Sequence, residues 1–193
     1  MLRFDKVSFS YNKKVVLTDF NLELKAGERL ALMGPSGSGK TTILQLAAGL
    51  LTPTAGIIES EFLPPAVAFQ EPRLFPHLTV KENLAAVQKK ADDKAIADAL
   101  DLVALSDWEN AYPHELSGGM QSRVSLARVL LYPTDLYLLD EPFGALDEET
   151  KQIVLQNLLG FLTKKGAAAI LVTHQSEDAD TFATRKFFLP AAD

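Results

Sequence analysis

The run Gly34-Pro35-Ser36-Gly37-Ser38-Gly39-Lys40-Thr41 satisfies the spacing G-x-x-x-x-G-K-[ST] in full. That spacing suits polyphosphate. Glycines remove the Cβ atoms that would keep backbone N–H groups away from phosphate oxygens, and the loop ends where a helix begins, at the positive end of its dipole. Lys40 is placed to reach β- and γ-phosphates, and the Thr41 hydroxyl to ligate Mg²⁺, with Thr42 beside it. A second chemical run, Leu136-Tyr137-Leu138-Leu139-Asp140-Glu141, is apolar until two terminal carboxylates. Asp140 suits a contact to Mg²⁺, and Glu141 suits the base that polarises an attacking water. Kinases, GTPases, motors and transporters all remain open at this point.

The elements that must hold these groups are legible from patterning. Leu2 to Phe9 and Val15 to Leu24 alternate apolar and polar residues, as half-buried strands do. Arg29 to Met33, Leu136 to Leu139 and Ala168 to Thr173 lack alternation and read as strands buried on both faces. The pattern predicts helices over Thr41–Leu51, closed by Pro53, then after Ser117-Gly118-Gly119 as far as Pro133, over Glu148–Leu162, and over Glu177–Ala183, followed by a strand at Phe187–Leu189. Thr79-Val80-Lys81-Glu82 has capping-box spacing, and Ile96, Leu100 and Val103 share one helix face. Buried strands alternating with helices imply a parallel α/β sheet, with its carboxyl edge receiving both the glycine loop and Asp140.

The choice among phosphate chemistries turns on Leu116-Ser117-Gly118-Gly119-Met120, followed by Arg123. This run resembles the signature motif of the ATP-binding cassette (ABC) ATPases, and it precedes the carboxylate-ended strand in the order that family uses. The resemblance extends over nearly the whole chain and implies roles for further residues. Tyr11 falls where the family stacks an aromatic on adenine. Gln70 fits the glutamine that senses Mg²⁺ and the γ-phosphate. Gly144-Ala145-Leu146-Asp147 fits the D-loop along a dimer interface, and His174 fits the switch histidine at the γ-phosphate. His77 and His114 read as loop residues without a ligand role.

The implied fold is α/β: a P-loop NTPase core of the ABC ATPase kind, with an antiparallel β-subdomain and an α-helical subdomain. Residues 1–193 form a single ATP-binding domain, with the helical subdomain inserted at about 76–129. The implied activity is ATP hydrolysis with Mg²⁺, coupled to transport. Two subunits sandwich ATP, the P-loop coming from one and Ser117, Gly118, Gly119 and Met120 from the other. The second subunit is another copy of the chain or a homologous ATPase subunit. Separate transmembrane permease subunits dock beside the Gln70–Val80 loop, where Leu74, Phe75 and Leu78 are expected to face solvent. An extracytoplasmic solute-binding protein completes the system. The segment Gln70 to Val80 is similar to that of bacterial solute importers, and Ser117–Met120 with Glu141–Asp147 is most like the nitrate, sulfonate and taurine group. Met120, Ser122 and Gln175 depart from the usual residues of the motifs, but none removes a catalytic group.

Composition agrees. The chain of 193 residues is 47% hydrophobic and 23% charged, ordinary globular usage. A net charge of −6 disfavours nucleic acid as a partner. With no cysteine there is no disulfide, thiolate metal site or cysteine nucleophile. No run reaches membrane-spanning length, and the resemblance implies a place at the cytoplasmic face of the membrane, held there peripherally. The stretch Gly56 to Pro65 is short for the family's β-subdomain, and the chain has no expected room for a regulatory C-terminal domain or a fused transmembrane domain. Chromosome-maintenance ATPases share the signature but need a long coiled coil between the two halves of the cassette. A small-molecule kinase would explain Lys40 but not Ser117 to Met120.

Overall fold

In the computed structural model, which describes residues 1–12 and 14–190, the two alternating runs become β1 (Leu2–Tyr11) and β2 (Lys14–Leu24), an antiparallel pair. Their buried side chains face one another in register, Leu2 opposite Leu24 and Phe4 opposite Leu22. That matching is what two half-buried strands need. β4 (Ala55–Ser60) pairs antiparallel with the other side of β1, giving the order β2-β1-β4.

A second sheet has the order β5-β6-β7-β3-β8, from β5 (Ala66–Ala68), β6 (Leu136–Asp140), β7 (Ala168–Val172), β3 (Arg29–Met33) and β8 (Arg185–Phe188). The pairs β6/β7, β7/β3 and β3/β8 are parallel. Every residue of β6 and β7 is buried, which explains why these strands read as apolar runs without alternation. β8 closes one edge of the sheet; Arg185 and Lys186 are exposed and Phe188 is 66% exposed. The strand begins and ends earlier than the predicted Phe187–Leu189, because Leu30 to Met33 of β3 pair with Arg185 to Phe188.

The α1 helix (Lys40–Ala47) is also shorter than predicted. Gly49, at φ +69°, ends it before Pro53 can: the Leu50 and Leu51 N–H groups turn back to the Gln45 carbonyl. α6 (Ser176–Phe182) precedes β8. Both sheets and α1 share one apolar core, with Phe4, Phe20, Leu30, Ile43, Leu138 and Ile170 among its members. These elements form one compact unit made of Met1–Val67, Thr134–Asp140 and the chain from Leu162 on.

The other compact unit, Ala68–Pro133 with Glu141–Phe161, is helical. It holds α2 (Val80–Ala85), α3 (Asp93–Leu102), α4 (Gly118–Leu131) and most of α5 (Glu148–Lys165), with 3-10 turns at Ser106–Trp108 and Pro113–Glu115. α4 packs on α2 and α3, and Leu84, Ile96, Leu100 and Val124 are buried. Thr79 and Glu82 close the capping box that their spacing predicted, at 3.2 and 2.8 Å. Asn83, fully buried, braces the preceding loop. Its Oδ1 accepts from the Phe75 N–H at 2.8 Å, and its Nδ2 donates to the carbonyls of Phe75, Leu78 and Thr79 at 3.0–3.1 Å. Of the three apolar loop residues expected to face solvent, Phe75 is 44% exposed, whereas Leu74 and Leu78 are half-buried because the loop folds over α2.

Candidate nucleotide site

In the first unit, the parallel strands deliver their ends to one edge. Val172 lies in register with both Leu32 and Asp140, so the loop after Met33, the Asp140 carboxylate and Thr173-His174 all leave the sheet at its carboxyl side. Asp140 is 4% exposed. The Gln175 N–H donates to Thr173 Oγ1 at 3.0 Å, a tight turn that leaves His174 exposed.

The glycine loop is a backbone cradle. Gly34, at φ +145°, has no room for a side chain: a Cβ would sit 2.7 Å from the Leu189 carbonyl oxygen. Gly39, at φ +97°, starts α1 with no side-chain cap, and no acidic residue lies in the first turn. The helix therefore presents its N–H groups unanswered by side chains. Lys40 is 8% exposed; its Nζ donates to the carbonyls of Gly34 and Pro35, each at 2.8 Å, and so is held inside the loop. Ser38 is 4% exposed and its Oγ has no hydrogen-bond partner among the described residues. An orphaned hydroxyl, an interior ammonium and an uncapped helix start are what an anion would satisfy together. Pro35, Ser36, Gly37 and Thr41 are exposed along the rim, and Thr42 is buried. Thr41 and Asp140 offer two hard oxygens, which suits Mg²⁺ bound jointly with phosphate.

Tyr11 is 45% exposed. Its ring packs edge-on against Phe9 at 4.8 Å between centroids, and its hydroxyl donates to Gln45 Oε1 at 3.1 Å. The ring is thus fixed by β1 and α1 while one part stays open to solvent.

In the helical unit, Gln70 Nε2 donates to Glu141 Oε2 at 3.3 Å, so a hydrogen bond joins two residues far apart in sequence. Glu141 has φ +46°, a left-handed conformation that an L side chain adopts at a cost. Ser117 caps α4, its Oγ accepting from the Met120 N–H at 3.3 Å. The two signature glycines differ. A Cβ on Gly118 would meet nothing within 4 Å, whereas one on Gly119 would lie 2.6 Å from the Ala145 carbonyl oxygen. Gly119 is therefore the contact that seats the Ala145–Asp147 turn on the start of α4. Asp147 caps α5, its Oδ1 accepting from the Thr150 N–H at 2.9 Å; this bond, with Thr150's side chain and the Arg123 charge, holds its carboxyl below the usual range.

Two residues that motif reading passed over, Asn83 and Arg128, organise this unit together with Arg123, which follows the signature run. Asn83 braces the loop. Arg123 Nη1 donates to the carbonyls of Val103 and Ala104 at 3.1 and 2.8 Å, and burial lowers its pKa. Arg128 Nη2 donates to the Arg73 carbonyl at 2.6 Å. The signal for both arginines was available only as basic residues at buried turns of a helix; their acceptors are carbonyls that no side-chain pattern marks.

Residues 17–144 match the family described as ABC transporter. The chain is 42% identical over 177 residues to the aliphatic sulfonates import ATP-binding protein SsuB of Bacillus subtilis, covering 86% of this chain and 69% of that protein. It is 40% identical over 203 residues to the Fe(3+) ions import ATP-binding protein FbpC 2 of Pectobacterium atrosepticum, covering 96% of this chain and 59% of that protein. It is 36% identical over 205 residues to the thiamine import ATP-binding protein ThiQ of Vibrio cholerae, covering 98% and 85%. The chain thus spans less than two thirds of the FbpC relative and more of the others. Among solved structures it is similar to a dimeric ATP-binding cassette in a post-hydrolysis state bound to ADP and Pi, with a TM-score of 0.88, 29% identity, and coverage of 98% of this chain and 94% of that one. The α/β cassette fold, the importer likeness and the sulfonate-group likeness expected from the motifs all agree with these findings, and the chain belongs to the ABC transporter family of ATP-binding cassettes.

Proposed function

We propose that the chain binds ATP with Mg²⁺ and hydrolyses it as the motor subunit of a solute importer, at the cytoplasmic face of the membrane. The observation that carries this reading is the glycine cradle with Lys40 held inside it and Ser38 Oγ left unpartnered, on the sheet edge that also ends in Asp140 and His174. Mg²⁺, when bound, neutralises phosphate charge, and Thr41, Asp140 and Gln70 are the residues that would hold it. The backbone of Gly34 to Gly39 and the Lys40 ammonium bind the phosphates, with Pro35, Ser36, Gly37 and Ser38 shaping the loop and Thr42 packed beneath it. Tyr11 offers its ring to adenine. Glu141 polarises the attacking water, and the hydrogen bond from Gln70 orients its carboxylate. His174 steadies the γ-phosphoryl group as charge develops on it.

Ser117, Gly118, Gly119 and Met120 serve the nucleotide of a second subunit, with Asp147 at the shared boundary. The dimeric state of the related cassette structure supports this arrangement. The importer names of the relatives support separate permease subunits as partners, an extracytoplasmic solute-binding protein would complete the system, and the exposed Phe75 lies in the loop proposed for permease docking. No helix among the described residues is long and apolar enough to cross a membrane. Residues of about 76–129 act as the helical subdomain inserted into the core.

Two variants test the chemistry. Lys40→Ala is expected to abolish ATP binding, because the phosphates lose their interior charge. Glu141→Gln is expected to bind ATP normally and to lose turnover. Equal hydrolysis by Glu141→Gln and the native chain would remove Glu141 from the role of base.

A further inference from the structure

We propose that Arg128 is a positioning residue that clasps the helix bearing Ser117–Met120 to the segment bearing Gln70, so that α4 sets where Gln70 meets Glu141. The inference rests on the ATPase reading above. Arg128 lies about three turns along α4 from its Ser117 cap. Its Nη2 donates to the Arg73 carbonyl at 2.6 Å, and its guanidinium carbon lies 5.6 Å from the Phe75 ring centroid. Arg73 turns its own guanidinium back over the Phe69 ring, 4.0 Å from that centroid. The segment from Phe69 to Phe75 is therefore gripped twice: Arg73 ties it to its own start, and Arg128 ties Arg73 to α4. Gln70 sits inside the gripped segment and donates to Glu141.

The chemistry of the residue fits a clasp rather than a surface charge. Arg128 is half-buried, and burial lowers its pKa, with no acid contributing to the shift. A half-buried cation whose recorded partners are a carbonyl and a ring face holds position by geometry. Its planar fork serves acceptor and ring at once, which a lysine ammonium does not. At the other end of α4, Gly119 lies against the Ala145 carbonyl, so one rigid helix touches the Ala145–Asp147 turn through its first residues and the Gln70 segment through Arg128. A displacement of the helix start is thereby passed through Arg128 to the short segment that bears Gln70.

The experiment is a double-variant cycle read by steady-state ATPase rates and equilibrium MgATP binding on the whole chain: native, Arg128→Met, Gln70→Ala and the double variant. Arg128→Met is expected to lower kcat about tenfold while the Kd for ATP stays within about twofold, because the phosphate cradle lies in the other compact unit. In the Gln70→Ala background the same substitution is expected to change kcat by less than about twofold, since the residue it positions is already gone. Arg128→Lys keeps the charge and stem and is expected to lose about threefold in kcat, again only while Gln70 is present. Far-UV circular dichroism and the fluorescence of the single tryptophan, Trp108, verify folding; if Arg128→Met does not fold, the Arg128→Lys cycle decides. Full additivity with Gln70→Ala, or an unchanged kcat in both Arg128 variants, overturns the clasp. A native chain that hydrolyses no ATP overturns the ATPase reading and the clasp together, whereas an active native chain with additive losses overturns the clasp alone.

Discussion

Glu141 combines two properties: it is the proposed base, and its backbone sits at φ +46°. A left-handed L-residue costs about 1–3 kcal/mol, which glycine largely avoids. Glu141→Gly is therefore expected to unfold at higher urea than Glu141→Gln by about 1 kcal/mol, with both variants catalytically dead. Matching midpoints would mean that the conformation carries no strain. The signature glycines give a second contrast. Gly118→Ala enters open space at a helix start and is expected to be neutral or to stabilise the nucleotide-free chain by up to about 1 kcal/mol. Gly119→Ala meets the Ala145 carbonyl and is expected to destabilise by about 1–3 kcal/mol. Equal unfolding midpoints for the two alanine variants would contradict the packing described. The sequence shows why these glycines are suspected and not how they differ. Spacing reports which residues flank a loop, but the carbonyl of Ala145 arrives from a turn much later in the chain. The P-loop and the Asp140-Glu141 pair were legible because their chemistry is local; Asn83 and Arg128 were not, and Arg123 was legible only as part of the signature run, because each bonds backbone carbonyls placed by tertiary folding.

At the scale of elements, strands were legible to within a residue or two wherever burial on both faces left a pure apolar run, as in β3, β6 and β7. The end of α1 was misplaced because Pro53 is the louder signal, whereas Gly49 adopts the left-handed conformation first. The start of α5 offers a test through pH. Asp147 caps that helix and its carboxyl is held below the ordinary range, first by the Thr150 N–H. A depressed folded pKa adds stability that is present above the ordinary carboxyl value and disappears as pH falls through the depressed one. Asparagine caps comparably but does not titrate. The native chain is thus expected to exceed Asp147→Asn in stability near neutral pH, and the gap is expected to close in acid, as urea midpoints measured across that range would show. A gap that persisted unchanged at the acid end would exclude the cap as its origin.

For the whole molecule, the proposed sharing of sites makes a single chain half an enzyme. Sedimentation is expected to find monomer without nucleotide and dimer when ATP is bound to Glu141→Gln, with the native hydrolysis rate rising more steeply than linearly with concentration in the dilute range. Ser117→Arg and Lys40→Ala chains are each expected to be inactive alone. On mixing, the first supplies a phosphate loop and the second a signature, so one composite site is whole and some activity returns. Linear dependence of rate on concentration in a protein that stays monomeric under ATP would exclude the shared site. A dimer that opens and closes exposes its protomers to other encounters, and β8 is where these could begin, since an edge strand offers unpaired N–H and C=O groups to any passing chain. Phe188 makes that edge sticky, yet Arg185 and Lys186 line it with charged groups, ion-paired to Glu28 and Asp180, and Pro190, just beyond, has no N–H with which to extend a ladder. The edge is thereby guarded against aggregation by charge and by proline, and replacing Lys186 with a β-branched apolar residue would leave the phosphate cradle intact while turning the chain into a seed for insoluble, strand-paired assemblies.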